Sequence, residues 1–268
     1  LTPIIARIGP FFCRRISSSS ILMGDVASKS GGGLKHFVLG TPLSYETISK
    51  SNPNAKRAVM ATGCFWGSEK TFWRLPKGII STSVGYCGGK SSDPPSYEFV
   101  CSGTTGHAEA VQVVYDPNQV SYVDLLRAFW ESHDPTQGDG QGGDRGTQYR
   151  SAIYYTDDDQ RKLAKSSKSA YQNALKAAGK MADITTQIDK LDKFFIAEDY
   201  HQQYLAKPGN RQYCSAQPQS ISLPDYSQWA PADISPIHHP TLSQRFWQEH
   251  GPKPHCVINS PNTPIKWL

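Results

Sequence analysis

The chain has 268 residues, of which 38% are hydrophobic and 19% charged, with 13 Tyr, 10 Phe and 6 Trp; this supplies a core and excludes wholesale disorder. A net charge of +5 is too mild for a phosphate-neutralising surface, so nucleic acid is not an expected partner. No apolar run approaches the roughly 18 residues a membrane-spanning helix needs, and none of the six cysteines forms the C-x-x-C pair of zinc ribbons and thioredoxin-type motifs.

Residues 1–34 read as a transit-like or disordered leader: Arg7, Arg14, Arg15 and a run of serines precede the first acid, Asp25. Such a leader addresses a chain to a plastid or mitochondrion; without that function the chain is cytoplasmic. A lead-in segment, 35–54, follows the flexible Gly31-Gly32-Gly33. From 55 to 214 short strands and helices alternate. Residues 58–62 read as a strand, 64–73 as a helix, 79–86 and 108–115 as strands. A helix over 121–132 carries Val123, Leu126, Phe129 and Trp130 on one stripe, followed by a strand at 150–155 and a long helix at 157–178. Residues 184–188 and 194–196 are short extended pieces. The order β-α-β-β-α-β predicts an α+β fold, a two-layer sandwich on a split βαβ, ferredoxin-like core. Residues 215–268 hold nine of the 19 prolines and one glycine, Gly251; they read as an extended Pro-rich C-terminal arm anchored by Trp229, Phe246, Trp247 and Trp267.

Three stretches carry chemistry. In Gly63-Cys64-Phe65-Trp66-Gly67 a strand ends and a helix begins, so Cys64 falls at a helix N-terminus, where unpaired N–H groups favour an anion. That placement is expected to lower the thiol pKa from roughly 8.5 toward neutrality, with Phe65 and Trp66 walling the sulfur. In Gly106-His107-Ala108-Glu109, the carboxyl enters an apolar strand. It is either buried, with a raised pKa suited to proton donation, or on the solvent face of an edge strand. The stretch 138–144 holds a formal G-x-G-x-x-G, but a strand follows instead of preceding it and two Asp would repel a pyrophosphate. It reads as a loop that brings Asp144 and Tyr149 toward another part of the chain. Tyr97 is a second phenol able to donate to a bound oxygen.

Together GCFWGSEKTFW (63–73), GYCGG (85–89), YEFVCSGTTGHAEAV (97–111), FWESHDPTQGDGQGGDRGTQYRSAIY (129–154) and AEDYHQQYL (197–205) resemble the A-type peptide methionine sulfoxide reductases, motif by motif and in order. The resemblance spans the whole of 55–214. It implies that Cys64 attacks the sulfur of S-epimer methionine sulfoxide, free or in a protein, while Glu109 delivers a proton to the oxygen. Tyr97 and Tyr149 match the phenols that hold that oxygen. Phe65 and Trp66 match the aromatic pair around the methyl group, and Asp144 and His201 match positions that shape the site. The product on the enzyme is a sulfenic acid at Cys64. The resemblance also implies a monomer with no metal and no organic cofactor, whose electrons come from thioredoxin or another dithiol.

The second thiol is where this chain departs from its relatives. Cys214 lies where the first resolving cysteine of the family lies, but SAQPQSISLP follows it where many relatives have a glycine-rich tail. Cys214 is expected to resolve Cys64, with Cys256 as a possible relay. Two other classes are weaker. His238, His239, His250, His255 and Cys256 are metal-ligand types, but their spacing fits no tetrahedral pattern. A Cys64–His201 pair could serve a protease or acyl transferase.

Overall fold

The computed structural model describes residues 33–251 and 257–267. The leader up to residue 32 lies outside them, as does Cys256. No helix among the described residues is long and apolar enough to cross a membrane.

A six-stranded sheet carries the molecule, built from β1 (Lys56–Thr62), β2 (Ile79–Cys87), β3 (Ala108–Tyr115), β6 (Ser151–Tyr155), β7 (Gln187–Lys190) and β8 (Phe194–Ile196). Its strand order is β7-β6-β1-β3-β2-β8. The β1–β3, β2–β3, β1–β6 and β2–β8 pairs are antiparallel, and only β6–β7 is parallel. β3 is therefore interior and buried along its whole length. Its side chains alternate between faces. Glu109, Val111, Val113 and Tyr115 share one face, and the last three pack in the main core beneath the helices. Ala108 and Ala110 join Val59, Ala61, Cys87, Ala152 and Tyr154 on the other.

The helices are α1 (Tyr45–Ser51), α2 (Phe65–Trp73), α3 (Tyr97–Cys101), α4 (Tyr122–Ser132), α5 (Asp158–Ala177) and α6 (Gln244–His250). Ser121 and Asp124 form a reciprocal capping box at the start of α4, and Asp157 caps α5 through the Gln160 N–H. Helix α2 has no side-chain cap of its own at Cys64. A glutamate from β3 takes that place, as described below.

Three elements were not expected from the sequence. α1 occupies the lead-in segment, capped by Ser44; α3 is a five-residue helix at Tyr97; and α6 is a short helix capped by Ser243. All three are too short for a helical stripe to stand out in the sequence. The stretch read as a glycine loop contains a small hairpin, β4 (Gly140–Gln141) with β5 (Asp144–Arg145). Leu223, Tyr226, Trp229, Ile234, Leu242, Phe246 and Trp247 are buried in the same core as Phe65, Phe129 and Trp130, with Trp267 packed against it.

Candidate active site

The site forms where β1 hands over to α2. Gly63 has φ +100, a conformation side chains rarely adopt, and a Cβ there would meet the Gln141 Cβ at 2.6 Å. This turn ends β1 and sets half-buried Cys64 at the N-cap of α2. The Glu109 carboxylate reaches across from β3, and its Oε2 accepts the Phe65 N–H at 3.1 Å. Glu109 is 2% exposed, so the buried alternative holds because β3 is interior. Burial pushes its carboxyl up to about 8, against the lowering effect of the Phe65 N–H and with a further push from Asp144. Glu109 is thus a proton donor at neutral pH.

The expectation that helix placement lowers the Cys64 pKa is corrected by these neighbours. Burial raises it well above the ordinary thiol value, Glu109 and Asp144 raise it further, and only a backbone hydrogen bond from Trp66 works the other way. The helix N-terminus that would have favoured a thiolate is occupied by the Glu109 carboxylate. Two nearby carboxylates and desolvation outweigh what remains of it.

Tyr97 opens α3 and Tyr149 closes a 3-10 turn, Thr147–Tyr149. Burial raises both phenols first, and Glu109 and Cys64 raise both further, so each stays a protonated donor in range of the carboxyl and the thiol. Phe65 is buried, and Trp66 stacks on Tyr204 with ring centroids 3.7 Å apart. The Trp66 indole N–H donates to His201 Nδ1 at 3.1 Å. His201 is fully buried among Phe65, Tyr97 and Tyr200, and burial holds it down to about 3. Because Nδ1 accepts, the proton of the neutral ring sits on Nε2, which lies 3.9 Å from Glu198 Oε2. His201 therefore orients the indole and is not a base for Cys64, which removes the protease-like pairing.

Asp144 Oδ1 accepts the Tyr213 hydroxyl at 2.7 Å, while its buried Oδ2 has no hydrogen-bond partner. Cys214 lies against the first turn of α2: a Cβ on Gly67 would meet its Sγ at 2.6 Å. Its nearness is one more influence that raises the Cys64 thiol. The structure thus brings together Cys64, Phe65, Trp66, Tyr97, Glu109, Asp144, Tyr149, His201 and Cys214. Cys256 lies outside the described residues.

Sequence reasoning missed Glu198, whose Oε1 accepts the Tyr97 N–H at 3.1 Å and whose Oε2 accepts the Tyr86 hydroxyl at 2.8 Å. It also missed Tyr204 and Tyr213. The available signal was position: Glu198 is three residues before His201, and Tyr213 adjoins Cys214. Among the described residues no group of three or more His, Cys, Asp or Glu could hold a metal ion. His238 pairs with Asp159 at 3.0 Å, and His239 bonds the Pro236 carbonyl.

Comparison with known proteins gives the same assignment. The family model described as peptide methionine sulfoxide reductase matches residues 56–230. The peptide methionine sulfoxide reductase MsrA of Salinispora arenicola is 52% identical over 193 residues, covering 71% of this chain and 84% of its own length. Methionine sulfoxide reductase A of Corynebacterium diphtheriae superposes with a TM-score of 0.57 at 37% identity, covering 74% of this chain and all of that one. Reduced Mxr1 of Saccharomyces cerevisiae superposes with a TM-score of 0.55 at 35% identity, over 62% of this chain and 93% of that one. With its cysteine turn, buried glutamate and aromatic wall in place and more than half its length matched, this chain belongs to the peptide methionine sulfoxide reductase family.

Proposed function

We propose that the chain is a peptide-methionine (S)-S-oxide reductase, reducing methionine sulfoxide, free or in oxidised proteins, to methionine at the expense of thiols. The observation that carries this is the Glu109 carboxyl, buried, pushed up to about 8 and lodged at the N-terminus of the helix that begins after Cys64. A sulfoxide presents a strongly accepting oxygen and an apolar methyl group. Glu109, Tyr97 and Tyr149 are donors for the oxygen, and Phe65 and Trp66 form the apolar wall. Asp144 and His201 shape the pocket, His201 through its hold on the Trp66 indole.

The Cys64 sulfur attacks the sulfoxide sulfur while Glu109 protonates the oxygen, which makes the sulfur more electrophilic, and the proton lost from the Cys64 thiol replaces the one Glu109 gave. Protonated Glu109 also carries no charge, so the larger of the two carboxylate effects on Cys64 disappears in the reactive state. Two electrons pass from the Cys64 sulfur to the substrate sulfur. Methionine leaves, and the oxygen remains on Cys64 as sulfenic acid. Cys214 then condenses with it, releasing water and forming a disulfide that thioredoxin or a similar dithiol reduces. Cys256 is a candidate relay from that disulfide. No metal or organic cofactor enters.

The finer architecture fits the same frame. The order β6-β1-β3-β2 with antiparallel pairing supports a ferredoxin-like split βαβ core for residues 55–214. The burial of Trp229, Phe246 and Trp247 supports a wrapping C-terminal arm over 215–268. Delivery to a plastid or mitochondrion is supported by the Arg- and Ser-bearing residues 1–34. The decisive experiment is thioredoxin-coupled turnover of a methionine sulfoxide peptide by the whole chain. Cys64→Ser is expected to abolish it, and Cys214→Ser to keep one methionine per chain but lose coupling to thioredoxin. Wild-type chain that does not reduce the sulfoxide would overturn the proposal.

A further inference from the structure

We propose that the β4–β5 hairpin is a clasp that holds the segment carrying Cys214 over the first turn of α2, with Gln141 as the positioning residue for disulfide formation. This rests on Cys214 being the resolving thiol. Gln141 is 1% exposed, and its side chain joins the two cysteine-bearing segments. Its Oε1 accepts the Gln217 N–H at 3.0 Å and the Asp134 N–H at 3.2 Å, and its Nε2 donates to the Asp134 carbonyl at 2.8 Å. Its Cβ and Cγ fill the space beside Gly63, the residue before Cys64.

The same hairpin grips the chain on both sides of Cys214. Before it, the Tyr213 hydroxyl donates to Asp144 Oδ1. After it, Gly142 lies so close to the Ser215 carbonyl that a Cβ would sit 2.1 Å from the oxygen. Gln137 completes the link, accepting the Gly142 N–H at 2.7 Å and donating to Gln217 Oε1 at 3.0 Å. Gly67, with no side chain, leaves room for the Cys214 sulfur. The chain after Cys214 has prolines at 218, 224, 231, 236 and 240 and no glycine before Gly251. A thiol on such a segment is not carried in by a flexible tail; here fixed hydrogen bonds set its position. The step they serve is attack of the Cys214 sulfur on the Cys64 sulfur: the S–S bond forms, the S–O bond of the sulfenic acid breaks, and its oxygen leaves as water with the Cys214 proton.

Gln141→Ala and Gln217→Pro both remove the hydrogen bond from the Gln217 N–H to Gln141 Oε1, the second by deleting its main-chain donor together with the Gln137–Gln217 side-chain bond of the same clasp. Each full-length variant would be mixed with methionine sulfoxide peptide and no reductant, following methionine release, thiol loss and trapping of sulfenic acid by a dimedone reagent. Both variants are expected to release one methionine at the wild-type rate. Disulfide formation is expected to slow by about tenfold or more and trapped sulfenic acid to accumulate, as for a reacting atom displaced by a fraction of an ångström to an ångström. The double variant should be no slower than the worse single one. A wild-type disulfide rate in both variants would overturn the clasp. So would a parallel slowing of methionine release, which would make Gln141 a general support of the pocket. Should Gln141→Ala not fold, Gln217→Pro decides. Cys214→Ser separates the two layers: a Cys64 disulfide persisting there refutes Cys214 as resolving thiol, whatever Gln141 does.

Discussion

Glu109 shows how one carboxyl acquires two roles from its surroundings. It stands on the interior strand of the sheet and caps a helix that has no cap of its own, so it is desolvated and still bonded. Its protonated form is the proton donor, and that form is lost as pH rises through about 8. Single-turnover methionine release is therefore expected to fall above pH 8, approaching tenfold per unit. Glu109→Gln should lower the rate by about 10²- to 10⁴-fold, the usual contribution of a general acid, and flatten the alkaline fall. A variant that kept the wild-type alkaline limb would assign that limb to another group. Trp66 makes a separable contribution, since it bounds the apolar side of the pocket without a titratable atom. Trp66→Ala is expected to raise KM for the sulfoxide peptide more than it lowers single-turnover kcat. A fall in kcat at unchanged KM would place the indole in the chemistry.

The turn between β1 and α2 is the element on which the site depends, and it was legible from Gly63-Cys64 alone. The substitution Gly63→Ala meets both φ +100 and the Gln141 side chain, whereas Gly138→Ala meets φ +62 and open space. The first should cost on the order of 1–3 kcal/mol in backbone strain, plus the overlap. It should lower Tm well beyond the second, which carries the strain alone; equal shifts in thermal melts would show that the Gln141 contact relaxes freely. The four main strands and three long helices were legible because their apolar periods are long enough to separate 2 from 3.6. The short helices at Tyr45, Tyr97 and Gln244 were not, since five to seven residues make at most two turns and their formation depends on caps and tertiary packing. The site residues that bond or touch through their own motifs were legible. The ionisation of Cys64 was not, because local sequence showed the helix N-terminus but not the carboxylate arriving from β3. Glu198 and Gln141 escaped for a related reason: what they do lies in partners over 60 residues away, Tyr97 for one and Gln217 for the other.

At the scale of the molecule, Asp124 joins the core to the C-terminal segment, and buried titratable groups set the response to pH. Asp124 closes the α4 capping box, and its Oδ2 also accepts the Thr241 N–H at 2.8 Å and the Thr241 hydroxyl at 2.7 Å. Asp124→Ala should make residues 216–250 the first site of limited proteolysis while the 55–214 region survives; simultaneous loss of both would show that they unfold as one unit. Stability against pH follows from the directions of the pKa shifts. Burial holds His36 and His201 down to about 3 and His133 down to about 4, and lowers His107. The unfolded chain binds those protons more readily, so these residues make stability rise with pH until about 6.5, the ordinary histidine value. Burial pushes Glu69 up to about 7 and Glu109 up to about 8, and also raises Glu131. Here the folded chain holds the proton more tightly, so stability falls as pH climbs from the ordinary carboxyl range through 7 and 8. The two trends oppose each other below 6.5, and only the glutamates act above it. Thermal unfolding should therefore show Tm declining between pH 6.5 and 8, a window in which salt-bridged carboxylates would leave it level. Glu69 accepts hydrogen bonds from Thr82 and Gln203, and these together with the Lys207 charge lower its pKa without offsetting burial. Glu69→Gln should remove the part of the decline that ends near pH 7 and leave the Glu109 part, which continues to about 8. A Tm that stayed level or rose from pH 6.5 to 8 in the wild type would mean that these carboxyls are ionised in the folded chain, and the proton donor assigned to Glu109 would be lost with them.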